Sequence, residues 1–358
     1  MRLPAFKVEQ WMTDYEGQAI YNLTDTCVKA LSFKELKFDQ KELVLDYGAI
    51  TGDQKTKELI LSMYQKGTVN QITTAHGCLE ANELVLLTLL EQGDHVITFT
   101  PGYQQFVDVP LSIGCQVTTI ECFEKDGWLP NLNEVKESIQ DNTKMIILNN
   151  PNNPTGALLN KEMLHQLIHM CKEKKILIFC DEVYRSDVSL PSISDLYEYG
   201  IATSSLSKSF GLAGLRYGWI KSNKEIIDCI NNRRDYSMIS TGPLSDALAQ
   251  CALNQKEKWL QRGKQFIQKN KEIVSSWVEK DSRFHVVLPE TGTVCFLGYT
   301  MDIDSQSLAL ELLKEGIFFV PGSCFNAEGY LRLGLGQDSS MISTGLEKLS
   351  QWADQRIG

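Results

Sequence analysis

The sequence predicts an α/β fold: a large domain with a mostly parallel sheet, joined to a smaller α+β domain. Three observations carry this. From about residue 73, short apolar strands alternate with helix-length segments, the pattern of a parallel sheet covered on both faces. From about Lys224 helix-length segments follow one another before strands return. The segments richest in glycine and polar residues fall just after predicted strands, where such a sheet binds its ligands.

Taken in order, Gln71–Thr74 reads as a strand and Glu80–Glu91 as a buried helix. His95–Phe99 and Gln116–Ile120 are short apolar strands, and Leu132–Ile139 a helix. Lys144–Leu148 is a strand, Lys161–Lys172 a helix, Lys175–Cys180 a strand, and Ile201–Ser204 the strand that precedes Lys208. Three helices follow over Lys224–Arg234, Pro243–Asn254 and Lys256–Glu279. Strands at Val286–Leu288 and Thr293–Tyr299, a helix at Ser305–Glu315, strands at Ile317–Val320 and Tyr330–Leu335, and a helix at Ser340–Gln355 complete the smaller domain. With no repeat, low-complexity tract or Gly/Ser linker, the two domains must be closely joined.

Composition narrows the class. The chain has 358 residues, 43% apolar and 22% charged, as expected of a globular enzyme of about two domains. Its net charge of −10, from 45 acids against 35 bases, argues against a nucleic-acid partner. No stretch approaches the roughly 20 apolar residues that span a bilayer, and Met1–Gln10 has no apolar core of signal-peptide length. Ten cysteines, scattered without a Cys-x-x-Cys pair and several inside apolar runs, read as reduced, buried thiols of a cytoplasmic protein. The sequon Asn22-Leu23-Thr24 then carries no meaning.

The candidate chemistry centres on Lys208, in Ser204-Ser205-Leu206-Ser207-Lys208-Ser209-Phe210-Gly211, with Arg216 eight residues on. One lysine flanked by hydroxyls and glycines, followed by an arginine, suits an amine that forms a Schiff base beside a guanidinium that holds a phosphate. Alone, Lys208 reads equally well as a surface lysine in a glycine-rich loop. Company at other strand ends decides between them: Asn149–Gly156 after one strand, Asp181 after another. His165 and His169 stand four apart on a helix, a spacing that can bind a metal. No third ligand accompanies them, so they read as a partly exposed helix face and no metal is expected. Gly334-Leu335-Gly336 is a fragment of a dinucleotide fingerprint without the following glycine, and carries no weight.

Together these motifs resemble the class I/II aminotransferase family, fold-type I enzymes that depend on pyridoxal 5'-phosphate. The resemblance runs from about Tyr47 to the C-terminus, with several motifs in the family's order. It implies that Lys208 forms the Schiff base with the cofactor aldehyde and later moves the proton at the substrate Cα, its charged form disfavoured near Arg216 and the pyridine ring. Arg216 and Ser205 hold the cofactor phosphate, with the backbone of Gly77, Cys78 and Leu79 facing it at a helix N-terminus. Asp181 pairs with the pyridine nitrogen. Its neighbour Glu182 is the chemical rival, but strand alternation turns only one of them toward the site, and family register selects Asp181. Tyr184 and Asn153 hydrogen-bond the phenolic oxygen, Asn153 being chosen from several asparagines by its spacing from Pro154-Thr155-Gly156. Tyr103 stacks on the ring, and Arg332 clamps the substrate α-carboxylate, assisted by Asn153. Tyr47 reaches the phosphate of a neighbouring subunit, which implies a homodimer. The implied division is residues 1–40 as a segment packing with the small domain, 41–245 as the large cofactor-binding domain, and 246–358 as the small domain. The implied partners are an amino acid and a 2-oxo acid.

One region departs from the family. Residues 17–38 lack the glycine- and proline-bearing loop that usually helps cover the substrate. Glu9-Gln10-Trp11-Met12 and Ser32-Phe33-Lys34-Glu35-Leu36 are instead similar to the N-terminal region of capreomycidine synthase-type enzymes. Those share the fold and cofactor but eliminate and cyclise, so the alternative expectation is an elimination, replacement or cyclisation enzyme. A regulator that senses the cofactor without turnover is a third reading, disfavoured because no basic helix-turn-helix segment precedes residue 47.

Overall fold

The structure is a computed structural model that describes residues 2–38 and 42–357. Its large sheet has seven strands: β1 (Ile72–Ala75), β2 (His95–Thr100), β3 (Gln116–Glu121), β4 (Thr143–Asn149), β5 (Leu177–Asp181), β6 (Gly200–Ser205) and β7 (Gly218–Lys221). They lie in the order β1-β7-β6-β5-β4-β2-β3. All pairings are parallel except those made by β7, which runs against both β6 and β1. The mostly parallel sheet is as expected. Strand β7 was not foreseen, because Gly218-Trp219-Ile220-Lys221 is short and follows a glycine-rich loop with no intervening helix.

Alternation along the strands builds a core on each face. Met145, Ile147 and Phe179 pack on one side with Leu84, Val85 and Phe106, while Ile146, Leu148 and Ile178 pack on the other with Val135, Leu164 and Leu167. Each such side chain, taken from water, contributes about 1.5–3 kcal/mol. Because both faces are buried, these strands are apolar runs rather than polar–apolar alternations.

The second sheet is antiparallel: β8 (Phe284–Val286), β9 (Val294–Tyr299), β10 (Val320–Pro321) and β11 (Tyr330–Gly334), ordered β10-β11-β9-β8. The expected single strand over Ile317–Val320 is split. Ile317–Phe318 pairs in parallel with Tyr21–Asn22, whereas Val320 pairs with Arg332 in β11. N-terminal side chains share this sheet's core, where Val8, Trp11, Leu23 and Val28 join Phe296, Phe318 and Leu346. The long helix Lys256–Val278 touches both bodies, with Trp259 and Leu260 beside Phe210 and Trp219, and Ile267 and Val274 beside Phe284.

Two helices that matter for the site bracket the sequence expectations. Helix α1 (Lys7–Tyr15) was not anticipated; helix α2 (Cys78–Leu89) begins two residues earlier than the apolar pattern indicated. The helices Gln54–Leu61 and Gln105–Ile113 were also missed, the second because Pro110 lies inside it.

Candidate active site

A cavity of about 430 Å³ opens where β2, β4, β5 and β6 end, beside the first turn of α2. The chain crosses from β2 out to β3 and then returns to β4 on the other side of β2, so this is the sheet's switch point. Of the residues picked out in the sequence, Lys208, Asp181, Tyr184, Asn153, Ser205, Arg216, Tyr103, Arg332, Cys78 and Leu79 all line it. Gly77 stands immediately behind, and Tyr47 lies outside on an exposed loop.

Asp181 ends β5 and is buried. One oxygen, Oδ2, accepts from Asn82 Nδ2 at 2.8 Å; Oδ1 accepts from the Val183 amide at 2.9 Å and from Cys78 Sγ at 3.4 Å. Burial raises its pKa, and these donors oppose the rise. Glu182 faces the other way, its Oε1 accepting from Ser192 Oγ and the Ile193 amide, each at 2.9 Å. The rivalry between the two acids is thus resolved by strand alternation: one faces the cavity, the other pins the following helix.

Lys208 follows β6 on the loop toward β7 and donates to Thr26 Oγ1 at 2.7 Å. The next residues of that N-terminal strap continue the contact, with the Val28 amide donating to the Lys208 carbonyl at 2.9 Å. Burial pulls the Lys208 pKa down, but Cys27, Tyr184 and Asp25 around it prevail and leave it above the usual lysine range. In the cofactor-free protein the guanidinium that opposes the ammonium is Arg332.

At the other side of the cavity, Ser205 is buried and its Oγ accepts from the Ser207 amide at 3.1 Å. Arg216 has left-handed backbone (φ 50°), uncommon for a residue with a side chain, and turns its guanidinium over Gly77. A Cβ on Gly77 would lie 2.6 Å from Arg216 Nη2, so only glycine permits this approach. Arg332, on β11, is 4% exposed. Its Nε donates to Thr24 Oγ1 at 3.1 Å and its Nη1 makes a long 3.5 Å contact with Asn153 Oδ1. Among the described residues, no carboxylate lies within ion-pair distance of Arg216 or Arg332. Arg332 is therefore not one half of a surface salt bridge.

The model of the family "Aminotransferase class I and II" matches residues 17–349. The chain belongs to this family. As an aminotransferase-family chain it is similar in structure to a PLP-dependent aminotransferase from Streptococcus suis 89-1591, with a TM-score of 0.96, 36% identity and 99% of each chain covered. In sequence it is similar to the capreomycidine synthase of Streptomyces vinaceus, 23% identical over 98% of this chain and 94% of that one. It is also similar to the aspartate aminotransferase of Thermotoga maritima, 25% identical over 80% of this chain and 76% of that one. The fold is that of fold-type I pyridoxal-phosphate enzymes, and the cofactor is pyridoxal 5'-phosphate. The aminotransferase-family cavity fits that group. Among the described residues Arg216 has no ion-pair partner, the N-terminus of α2 opens on the cavity where a phosphate would be held, and Asp181 is a buried carboxylate that would meet a ring nitrogen.

Several residues of this aminotransferase-family site escaped the sequence reading. Asn82 is one: it holds Asp181 and accepts from Thr203 Oγ1 at 2.6 Å. A helical period of four places it on the face of Cys78, so a carboxamide on the buried side of an apolar helix was the available signal. Val8, Glu9 and Met12 on α1, with Asp25, Thr26 and Cys27 on the strap, were missed because their contacts with the site span most of the chain. His165 and His169 are exposed on their helix, and among the described residues no group of three His, Cys, Asp or Glu side chains could hold a metal.

Proposed function

We propose that this protein is an aminotransferase that moves an amino group between an amino acid and a 2-oxo acid through a Schiff base on Lys208. The carrying observation is one cavity that joins a lysine amine, a buried acid and two arginines free of protein carboxylates. When bound, pyridoxal phosphate supplies an aldehyde to capture the amino group and a ring that takes up electron density from Cα. Lys208 Nζ, ranged against Thr26 Oγ1, carries the proton to and from Cα. Asp181, oriented by Asn82, Val183 and Cys78, keeps the ring nitrogen protonated. Tyr184 and Asn153 would hold the phenolic oxygen, and Tyr103, which lines the same cavity, would pack on the ring. Ser205, Arg216 and the amides of Gly77, Cys78 and Leu79 hold the phosphate. Arg332 and Asn153 orient the substrate carboxylate, placing the Cα–H bond for transfer.

The enzyme in this reading is a cytoplasmic homodimer. Tyr47, 66% exposed beside the exposed Val44, Leu45 and Ile50, reaches the partner's phosphate. The chain divides into residues 1–40, 41–245 and 246–358; Val8 to Val28 of the first ride on the third, while Leu36 packs with Ile60 and Trp219 of the second. A second reading, elimination or cyclisation with the same cofactor, is favoured by the similarity to capreomycidine synthase, which extends through the N-terminal region.

Single-turnover absorbance separates the two. In amino transfer, an amino acid converts the aldehyde form of the cofactor to the amine form, and a 2-oxo acid restores it. An absorbing species that persists without the amine form would overturn amino transfer in favour of the second reading. Lys208→Ala should lower turnover by at least about 10³-fold while the protein still binds cofactor and amino acid; normal turnover in that variant would refute the role of Lys208.

A further inference from the structure

We propose that the substrate side chain is cationic, and that Glu9 on α1 and Asp25 on the strap are the groups that select it. The inference rests on the reading just given and deepens it to a substrate class.

It comes from the charges that the cavity has left over. Six ionic side chains line it: the cations Lys208, Arg216 and Arg332, and the anions Asp181, Glu9 and Asp25. Four have counterparts in an amino acid bound with its cofactor: Asp181 the ring nitrogen, Lys208 the aldehyde, Arg216 the phosphate and Arg332 the α-carboxylate. Glu9 and Asp25 have none, and both are carboxylates. Among the described residues neither is within ion-pair distance of a lysine, arginine or histidine.

The two acids line the cavity from α1 and the strap, on the side of Arg332, whose charge both of them favour. Arg332 is the fixed point, buried and turned into the cavity, so the α-carboxylate end of a substrate is tied down there. Glu9 Oε1 takes only a weak contact from Tyr103 OH at 3.4 Å, leaving its carboxylate open toward the mouth. Asp25 is held in place, its Oδ1 accepting from the Cys27 amide at 2.8 Å and its Oδ2 from Gln337 Nε2 at 2.9 Å, with lone pairs to spare on both oxygens. Glu16, bonded to Asn22 Nδ2 at 2.9 Å, adds a third negative charge nearby: partial burial and then the field of Asp25 push its pKa up. This wall of the cavity therefore carries carboxylates beyond the one that faces the ring nitrogen. It attracts an ammonium or guanidinium and repels a carboxylate. Aspartate, the amino acid in the names of many relatives, carries a side-chain carboxylate that this wall of the cavity disfavours.

The test titrates the holoenzyme with single amino acids and reads the concentration that gives half the change in cofactor absorbance. L-arginine and L-citrulline differ by charge at nearly constant shape, and L-ornithine, L-glutamate and L-alanine extend the series. Arginine and ornithine should half-saturate at concentrations about ten-fold or more below citrulline, with glutamate weaker still. Glu9→Gln should narrow the arginine-to-citrulline ratio by about three-fold or more, and Glu9→Lys should shift preference toward glutamate. Citrulline or glutamate binding as well as arginine, or a ratio unmoved by both substitutions, overturns the proposal. Alanine converting the cofactor to its amine form in that case would show that the aminotransferase reading survives and only the charge selection falls. If no amino acid changes the absorbance, the functional reading falls with it.

Discussion

At the scale of single residues, the site combines groups whose placement costs stability with groups that recover it. Asp181 is the clearest case. Its folded pKa is raised, first by burial, above that of the unfolded chain. A raised carboxyl contributes its full stability below the unfolded pKa, and that contribution is lost as pH rises toward the folded pKa. Without cofactor, Asp181→Asn should therefore be as stable as the parent near pH 4 and the more stable of the two at pH 7.5, as thermal melts at the two pH values will show. The same substitution should lower turnover by about 10²–10³-fold, because an amide cannot hold the ring proton. A parent that gains stability over the variant as pH rises would contradict the sign of this shift. Residues whose job is set by one local motif were legible in the sequence: Lys208 among serines, Asp181 at a strand end, Arg216 after glycines. Asn82 and Thr26 were not, since nothing local distinguishes a buried asparagine or a strap threonine until the partner is in place.

At the scale of elements, strands with two buried faces announced themselves by continuous apolar runs, and long helices by their period. Short or polar elements did not. Strand β7 has four residues, and α1 only nine, although Val8, Trp11, Met12 and Tyr15 pack from it at helical spacing. The glycines of Gly334-Leu335-Gly336, uninformative as a nucleotide motif, acquire a packing reason. A Cβ on Gly334 would fall 2.0 Å from the Asp25 carbonyl oxygen, and one on Gly336 2.4 Å from that of Cys27. The strap lies directly on this turn, with the Lys29 amide donating to the Gly336 carbonyl at 2.8 Å. Gly334→Ala should accordingly cost about 1–3 kcal/mol in denaturant melts. It should also depress turnover at temperatures where the protein remains folded, since Thr26 leaves Lys208. Retention of full turnover in a folded Gly334→Ala protein would show that the strap is not needed at the lysine.

At the scale of the whole molecule, Tyr47 tests the assembly. Tyr47→Phe should weaken cofactor retention by about ten-fold, measured by dialysis and absorbance. Mixing this variant with Arg216→Ala subunits should restore a fraction of fully furnished sites if Tyr47 serves the partner. No restoration in confirmed mixed dimers would place Tyr47 in its own subunit's site, or in none. The cavity itself spans the chain from Glu9 to Arg332. Order of synthesis then matters. The residues proposed to hold the cofactor, from Gly77 to Arg216, leave the ribosome well before β11 does. On the proposed roles, a growing chain has made every residue of the cofactor cradle before it makes the substrate clamp. Helix α1 gains the Phe319 carbonyl, to which Trp11 Nε1 donates at 2.9 Å, only late in synthesis, so the residues of the proposed cradle are all made before this wall of the cavity can close.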